Sequence, residues 1–356
     1  MRRIFVEYTC VRDKYTGIGK TVSVLCSAME EVGYEVVRLT KSDCVPGFND
    51  FYYYNIFLPR YCKKHLKKED VFLIPNNMGK FWILPHSDTW VLIHDIIPLS
   101  RFGYKGLRRF LYACKIRKLK HAKKIVTISE TVKKQLSDGL GIEYRKIQVL
   151  YWPVVSDTDD TLAPTTDNPG GRQYFLSIGT GEPRKNIESL IEKWNCLTDG
   201  DYDLLLFGKE WKKGRHRDLQ ALIDKNGGHD KIRLVGMVTD EELERLYRNA
   251  VAFVFPSLEE GFGLPPLEAL SNGIPVILPK TPINYELYGG IGLFYSLGDM
   301  SELKQCIIQS QRECGMNKHR YINYCKRFDI ENFKRNVSKI FGTMSSFSGK
   351  SVRNEY

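Results

Sequence analysis

The stretch FVFPSLEEGFGLPPLEALSNGIPVI (253–277) decides the fold. An apolar run rich in Phe and Val ends at Pro256, a glycine-bearing loop follows, and Pro265 and Pro266 open a helical segment. Proline suits the first turn of a helix because no intrahelical donor is needed there. Strand, loop, helix and the next strand form a βα unit, and such units place a ligand crevice at the carboxyl ends of a parallel sheet. The amides of Gly261, Phe262, Gly263 and Leu264 fall near the helix start, where orphan N–H groups and the helix dipole favour an anion. Two carboxylates bracket that point, Glu260 in the loop and Glu268 in the helix. Carboxylates beside an anion site suit hydroxyls, such as those of a ribose or a hexose.

Outward from this block the same alternation repeats. QYFLSIG, YDLLLFG, IRLVG, AFVFPS and PVILP read as strands, with helices near 187–195, 217–226, 240–249 and 265–272. The first half reads likewise: RIFVEYT, a helix near 20–32, YEVVRLT, DVFLIP, TWVLIHD and KIVTIS. Short Val/Ile runs bounded by turn residues are the mark of buried parallel strands. Between them, PVVSDTDDTLAPTTDNPGGR (153–172) has the composition of a linker. The pattern predicts an α/β protein of two doubly wound parallel-sheet domains, 1–160 and 171–328, facing each other across a cleft. A helix within 329–345 is expected to pack back on the first domain, and 346–356 to be a disordered tail.

The chain has 356 residues, 42% hydrophobic and 27% charged, an ordinary balance for a soluble globular protein. No run approaches the ~18 apolar residues of a spanning helix, and no cleavable leader is visible. Nine scattered cysteines without a C-x-x-C pair point to a reducing cytoplasm and away from a zinc site. The formal charge is +11, and residues 101–135 hold twelve Lys/Arg against Glu130 alone, an excess as large as the whole chain's. Within that segment Leu107, Phe110, Leu111 and Cys114 recur at helical spacing, which predicts an amphipathic helix with a basic outer face. Such a face is either simply solvated or drawn to an anionic membrane surface. No zinc finger or other reader accompanies it, so nucleic acid is not an expected partner.

Near the N-terminus, YTGIGKTVSV (15–24) ends like a triphosphate loop, but Lys14 stands where G-x-x-x-x-G-K-[ST] needs its first glycine. Gly17 and Gly19 fit the start of G-x-G-x-x-G, with Val22 in the third glycine's place. This loop therefore suits phosphate without carrying a full signature, and Lys20 and Thr21 are read as beginning the helix.

The 253–277 block resembles the retaining glycosyltransferases of family four, whose hallmark is E-x7-E in the context E-G-F-G-L-P-x-x-E-A; here that is Glu260 through Glu268 and Ala269. The resemblance implies the GT-B fold and transfer of a sugar from a nucleotide-diphosphate donor. SIGTGEPRKNI (177–187) is similar to a loop in which a basic pair reaches the donor diphosphate, which carries over to Arg184 and Lys185. Thr180 follows Gly179 where some members have an arginine. LVGMVTDEELERLYRNA (234–250) resembles a segment whose backbone, here Met237 and Val238, lies against the nucleobase. LIHDIIPL (92–99) resembles a motif in which the histidine, His94, faces the donor sugar, although a core or capping histidine stays open; Asp95 beside it fits a role in fixing local backbone. TISETVKK (127–134) is read as architectural, with Ser129 as a helix cap, and TGIGK as the glycine loop that brings Gly17 and Gly19 to the donor phosphate.

The resemblance further implies retention at the anomeric carbon. Both glutamates are assigned to donor binding, so front-face attack is favoured, with Lys185, Arg184 and the helix N-terminus neutralising the leaving diphosphate in place of a metal. The D-x-D strings at 157–159 and 201–203 are read as noise, and neither metal nor cofactor is expected. The acceptor implied is a lipid-linked or oligosaccharide glycan, with the enzyme peripheral at the cytoplasmic face of a membrane. HDxxPL leans toward mannosyl or rhamnosyl transfer. A nucleotide-sugar epimerase of the same fold is the alternative; a P-loop ATPase lacks its full motif.

Overall fold

The short apolar runs become two six-stranded sheets in the computed structural model, which describes residues 2–12, 17–47, 49–77, 80–154, 171–178, 181–199, 201–210 and 212–342. Most of the linker and all of the tail read from the sequence lie outside those residues. The first sheet contains β1 (Arg3–Glu7), β2 (Glu35–Leu39), β3 (Val71–Ile74), β4 (Thr89–Ile93), β5 (Lys124–Thr127) and β6 (Ile147–Val149), in the order β2-β1-β3-β4-β5-β6. The second contains β7 (Tyr174–Ile178), β8 (Asp203–Phe207), β9 (Ile232–Gly236), β10 (Phe253–Val254), β11 (Val276–Pro279) and β12 (Leu293–Tyr295), in the order β12-β11-β10-β7-β8-β9. Adjacent strands pair in parallel throughout. In each sheet the order reverses at one point, between β1 and β3 and between β7 and β10, and that is where a doubly wound sheet binds its ligand.

Helices cover both faces. The first half carries α1 (Gly17–Glu31), α2 (Lys41–Cys44), α3 (Asp50–Tyr52), α4 (Leu58–His65), α5 (Gly106–Ile116) and α6 (Glu130–Leu140). The second carries α7 (Ile187–Thr198), α8 (Arg215–Lys225), α9 (Asp240–Asn249), α10 (Leu264–Ser271), α11 (Pro282–Tyr288), α12 (Met300–Glu313), α13 (Lys318–Cys325) and α14 (Ile330–Phe341). The pleat sends Ile4, Val6 and Leu73 into one buried layer and Phe5, Phe72 and Ile74 into the layer behind. Burial on both faces is why these strands read as continuous apolar runs.

The first of those layers does not stop at the domain boundary. It continues through Trp152, Phe262 and Phe328 into Tyr174, Leu176 and Phe253 of the second sheet. Helix α14 returns to the first sheet: Phe333 packs on Trp152 at 5.7 Å and Phe341 on Trp90 at 4.8 Å. Lys124 Nζ donates to the Ile340 carbonyl, and Lys334 pairs with Glu31 of α1 at 2.5 Å.

Two sequence expectations change here. Helix α1 begins at Gly17, so Gly17 and Gly19 sit in its first turn rather than in a loop before it. In α5 the buried positions are Tyr112 and Ile116, whereas Leu107 and Phe110 are 70% and 62% exposed. Helical spacing correctly groups those residues on a face, but the face turned to the core is the one bearing Tyr112.

Candidate active site

The loops after β7 and β10 meet at the switch point of the second sheet. The backbone N–H of Leu258 donates to the Arg184 carbonyl at 2.8 Å, which ties the two loops together. Three donors then converge on a single oxygen, Oε1 of Glu260: Lys185 Nζ at 2.6 Å, Ser257 Oγ at 2.6 Å and Arg184 Nη1 at 2.7 Å. Arg184 is itself held by Glu182 at 2.9 Å and by the Glu259 carbonyl at 3.1 Å. Lys185 also lies over the Phe255 ring, 4.7 Å from its centre.

The electrostatics follow from this packing. Burial alone would raise the Glu260 pKa, but Lys185 and Arg184 outweigh it and hold the carboxyl below its ordinary value. Burial lowers that of Lys185, and Glu260 offsets only part of the effect. Arg184 stays above its ordinary value despite burial, because Glu260 and Glu182 flank it. A carboxylate thus holds two cations in place where the loops after β7 and β10 meet. Cations held this way meet a developing negative charge with little reorganisation.

Glu268 is built differently. It sits in α10 with the Tyr247 hydroxyl 3.3 Å away, and burial raises its pKa. Helix α10 starts from Gly263, whose φ of +89° lies in the left-handed region. The Phe262 side chain turns inward, against Tyr151 at 6.2 Å and Phe328 at 6.1 Å, so only its backbone is offered to the cleft. Met237 and Val238 follow β9, two strands along from β7, and Met237 is exposed.

The first domain meets this loop directly. A Cβ placed on Gly261 would stand 2.2 Å from the His94 carbonyl oxygen and 3.0 Å from Asp95 Cβ, so only glycine fits there. The His94 ring is buried, stacks on Trp152 at 5.7 Å and places Nε2 2.8 Å from the Pro75 carbonyl. That oxygen can only accept, so Nε2 carries the proton and Nδ1 is left as an acceptor. Burial pushes the His94 pKa down to about 4, so the ring stays neutral. A neutral imidazole whose Nε2 proton is held by the Pro75 carbonyl offers a ligand the Nδ1 lone pair.

Asp95, read from sequence as a backbone-fixing residue, does accept from the Ile97 amide at 3.0 Å. It also faces the Glu260 loop, and burial raises its pKa to about 6. Lys20, read as merely starting a helix, reaches across to Asp240 of α9 at 3.0 Å, an exposed pair of small energetic weight. Asp203 of the second D-x-D string is buried and paired with Arg233 and Arg172, a structural role. The 157–159 string, Gly179 and Thr180 lie outside the described residues.

Residues 159–289 match the family described as Glycosyl transferases group 1. The O-antigen chain mannosyltransferase RfbU of Salmonella typhimurium is 30% identical over 250 residues, covering 69% of this chain and 67% of that one. The O-antigen chain mannosyltransferase B of Escherichia coli is 37% identical over 166 residues, covering 45% of this chain and 43% of its own. Among solved structures, Anabaena Alr3699/HepE in complex with UDP and glucose superposes with a TM-score of 0.72 at 15% identity, covering 96% of this chain and 99% of that one. The two facing parallel sheets are those of a GT-B glycosyltransferase, and the chain belongs to the Glycosyl transferases group 1 family, among relatives of the O-antigen mannosyltransferases.

Proposed function

We propose that this chain transfers a hexose, mannose in the first instance, from a nucleotide-diphosphate sugar to a lipid-linked or oligosaccharide acceptor of a surface glycan. The observation that carries the reading is the convergence of Lys185, Arg184 and Ser257 on Glu260, at a helix start that faces His94 and Asp95. The choice of mannose rests on what RfbU and mannosyltransferase B are named for.

In the proposed reaction the bond from the anomeric carbon to the diphosphate oxygen breaks as the acceptor hydroxyl attacks from the same face. That hydroxyl's proton passes to the departing diphosphate, and configuration is retained. Lys185, Arg184 and the amides before α10 neutralise the charge that builds on the phosphate, without a metal. Glu268 binds donor hydroxyls, His94 accepts from a sugar hydroxyl through Nδ1, and Met237 and Val238 border the base. A second reading has one specific support. Asp95 faces the Gly261 end of the Glu260 loop from the first domain, where a carboxylate close to the anomeric carbon would form a glycosyl-enzyme intermediate.

The test is a panel of nucleotide sugars with EDTA present. Release of nucleoside diphosphate from a mannose donor, with transfer to acceptor, is the expected result. Failure of every nucleotide sugar to be cleaved or to stabilise the protein overturns the reading, and recovery of activity by Mg²⁺ overturns the metal-free part.

The membrane contact belongs to the same proposal. No helix among the described residues is long and apolar enough to cross a membrane. On α5, however, exposed Leu107 and Phe110 flank Arg108 and Arg109, and Lys115 lies over the Trp82 ring at 4.6 Å. Apolar side chains amid cations suit the interface of an anionic bilayer. Flotation with phosphatidylglycerol vesicles should be strong for the native chain and weak for Leu107→Ser/Phe110→Ser; equal flotation returns the segment to a solvated face.

A further inference from the structure

One carboxylate outside the donor-binding set joins the two halves of the molecule. Glu286, on α11 of the second domain, accepts from the backbone N–H of Glu130 at 2.7 Å through Oε1. Through Oε2 it accepts from the N–H of Thr131 at 2.7 Å and from the Thr131 hydroxyl at 2.5 Å. These are the first two amides of α6, an eleven-residue helix of the first domain. The next amide, that of Val132, donates to Ser129 Oγ at 3.1 Å. The first turn of α6 is therefore satisfied by one cap from its own chain segment and one from the opposite domain, and the helix dipole favours a carboxylate at that end.

The same helix end also grips the catalytic loop. Ser129 Oγ donates to the Gly261 carbonyl at 3.0 Å. Gly261 in turn has the His94 carbonyl where a side chain would be. Tyr151, whose pKa is raised by burial and by the adjacent Glu286, packs on Phe262 of that loop. Glu286, Ser129, Gly261 and His94 thus form one connected run of contacts between the domains.

We propose that Glu286 is a positioning residue for sugar transfer: by capping α6 across the cleft it sets how closely the Glu260 loop approaches His94 and Asp95. It touches neither donor nor acceptor in this scheme. Its work is to hold the closed arrangement in which groups from both domains address one anomeric carbon. The proposal rests on the glycosyltransferase reading above, and it separates from that reading in the experiment.

Full-length Glu286→Ala and Glu286→Gln are compared with the native chain in turnover, in calorimetric affinity for the nucleoside diphosphate, and in radius of gyration by solution scattering. Glu286→Ala should lower kcat about 10- to 100-fold, the scale on which misplacing reacting groups acts, with nucleotide affinity unchanged and the radius of gyration increased. Glu286→Gln, whose carbonyl still accepts one amide, should fall between the two and covers the case in which the alanine variant misfolds. Native kcat and native dimensions in both variants overturn the proposal, and so does a loss of nucleotide affinity in step with kcat. If the native chain turns over no nucleotide sugar, the functional reading fails, and an unchanged radius then still refutes the latch.

Discussion

Lys185 Nζ lies 2.6 Å from Glu260 Oε1, and the pair is buried at the junction of two loops whose residues are 75 positions apart. Neither charge would be stable there alone, because removing one partner of a buried pair leaves an uncompensated ion at a cost of about 3–5 kcal/mol. Arg184 changes that balance for one side only. With Lys185 removed, Glu260 keeps Arg184 and Ser257; with Glu260 removed, two cations face each other.

Lys185→Ala should therefore leave a folded protein that transfers sugar about 100- to 1,000-fold more slowly, the usual loss when a preorganised group facing transition-state charge is deleted. Steady-state transfer rates and a thermal melt check both halves of the statement. Lys20→Ala, which breaks an exposed pair, should stay near the native rate. Near-native turnover in Lys185→Ala would remove that residue from the diphosphate site.

Gly261→Ala tests the contact between the domains. The added Cβ meets the His94 backbone, which cannot swing aside as a side chain would. The clash is relieved only by shifting the loop or parting the domains, so kcat should drop by about 100-fold while circular dichroism keeps the native helix content. A native kcat in this variant would show that the close approach is not needed for the reaction.

His94 gives a stability prediction with a definite sign. The unfolded chain takes up a proton on this residue as pH falls through about 6.5, whereas the folded protein holds it neutral to about 4. Between those values the unfolded state binds more protons, so stability is lost on acidification by at most ~1.4 kcal/mol per pH unit from this group. Urea unfolding at pH 7, 6 and 5 should show the native chain losing more than His94→Gln on the way down. Parallel curves for the two proteins would contradict the buried, neutral assignment.

Asp95 separates the two chemical routes. With its carboxyl raised to about 6, a double displacement through Asp95 would give a rate that climbs as pH passes that value. Front-face transfer needs no such ionisation, so the kcat/KM profile should lack that limb and Asp95→Asn should still turn over. Loss of all transfer in Asp95→Asn, with a sugar adduct on the native chain by mass spectrometry, would favour the covalent route.

Much of this site was legible in the sequence because its signals are local. The Pro265-Pro266 start, the glycines at 261 and 263 and the two glutamates all fall within one βα unit, as does the Arg184-Lys185 pair after β7. The three-residue strands β6 and β12 escaped notice because so short a run carries no period. Ser257 gave no sign of donating to Glu260, since a serine in a loop fits many roles. Glu286 was invisible for a stronger reason: its partner Thr131 lies 155 residues away, and no pattern within α11 encodes that meeting. Leu107 and Phe110 show the converse limit. Spacing reveals which residues share a face, but only the tertiary neighbours decide whether that face is covered.

The return of α14 to the first sheet has a mechanical consequence. The Val154 amide donates to the Phe328 carbonyl at 2.9 Å, which ties the first domain to the residues just before α14. With Phe333 packed on Trp152 and Phe341 on Trp90, the last described helix belongs mechanically to the first domain although it follows the second in sequence.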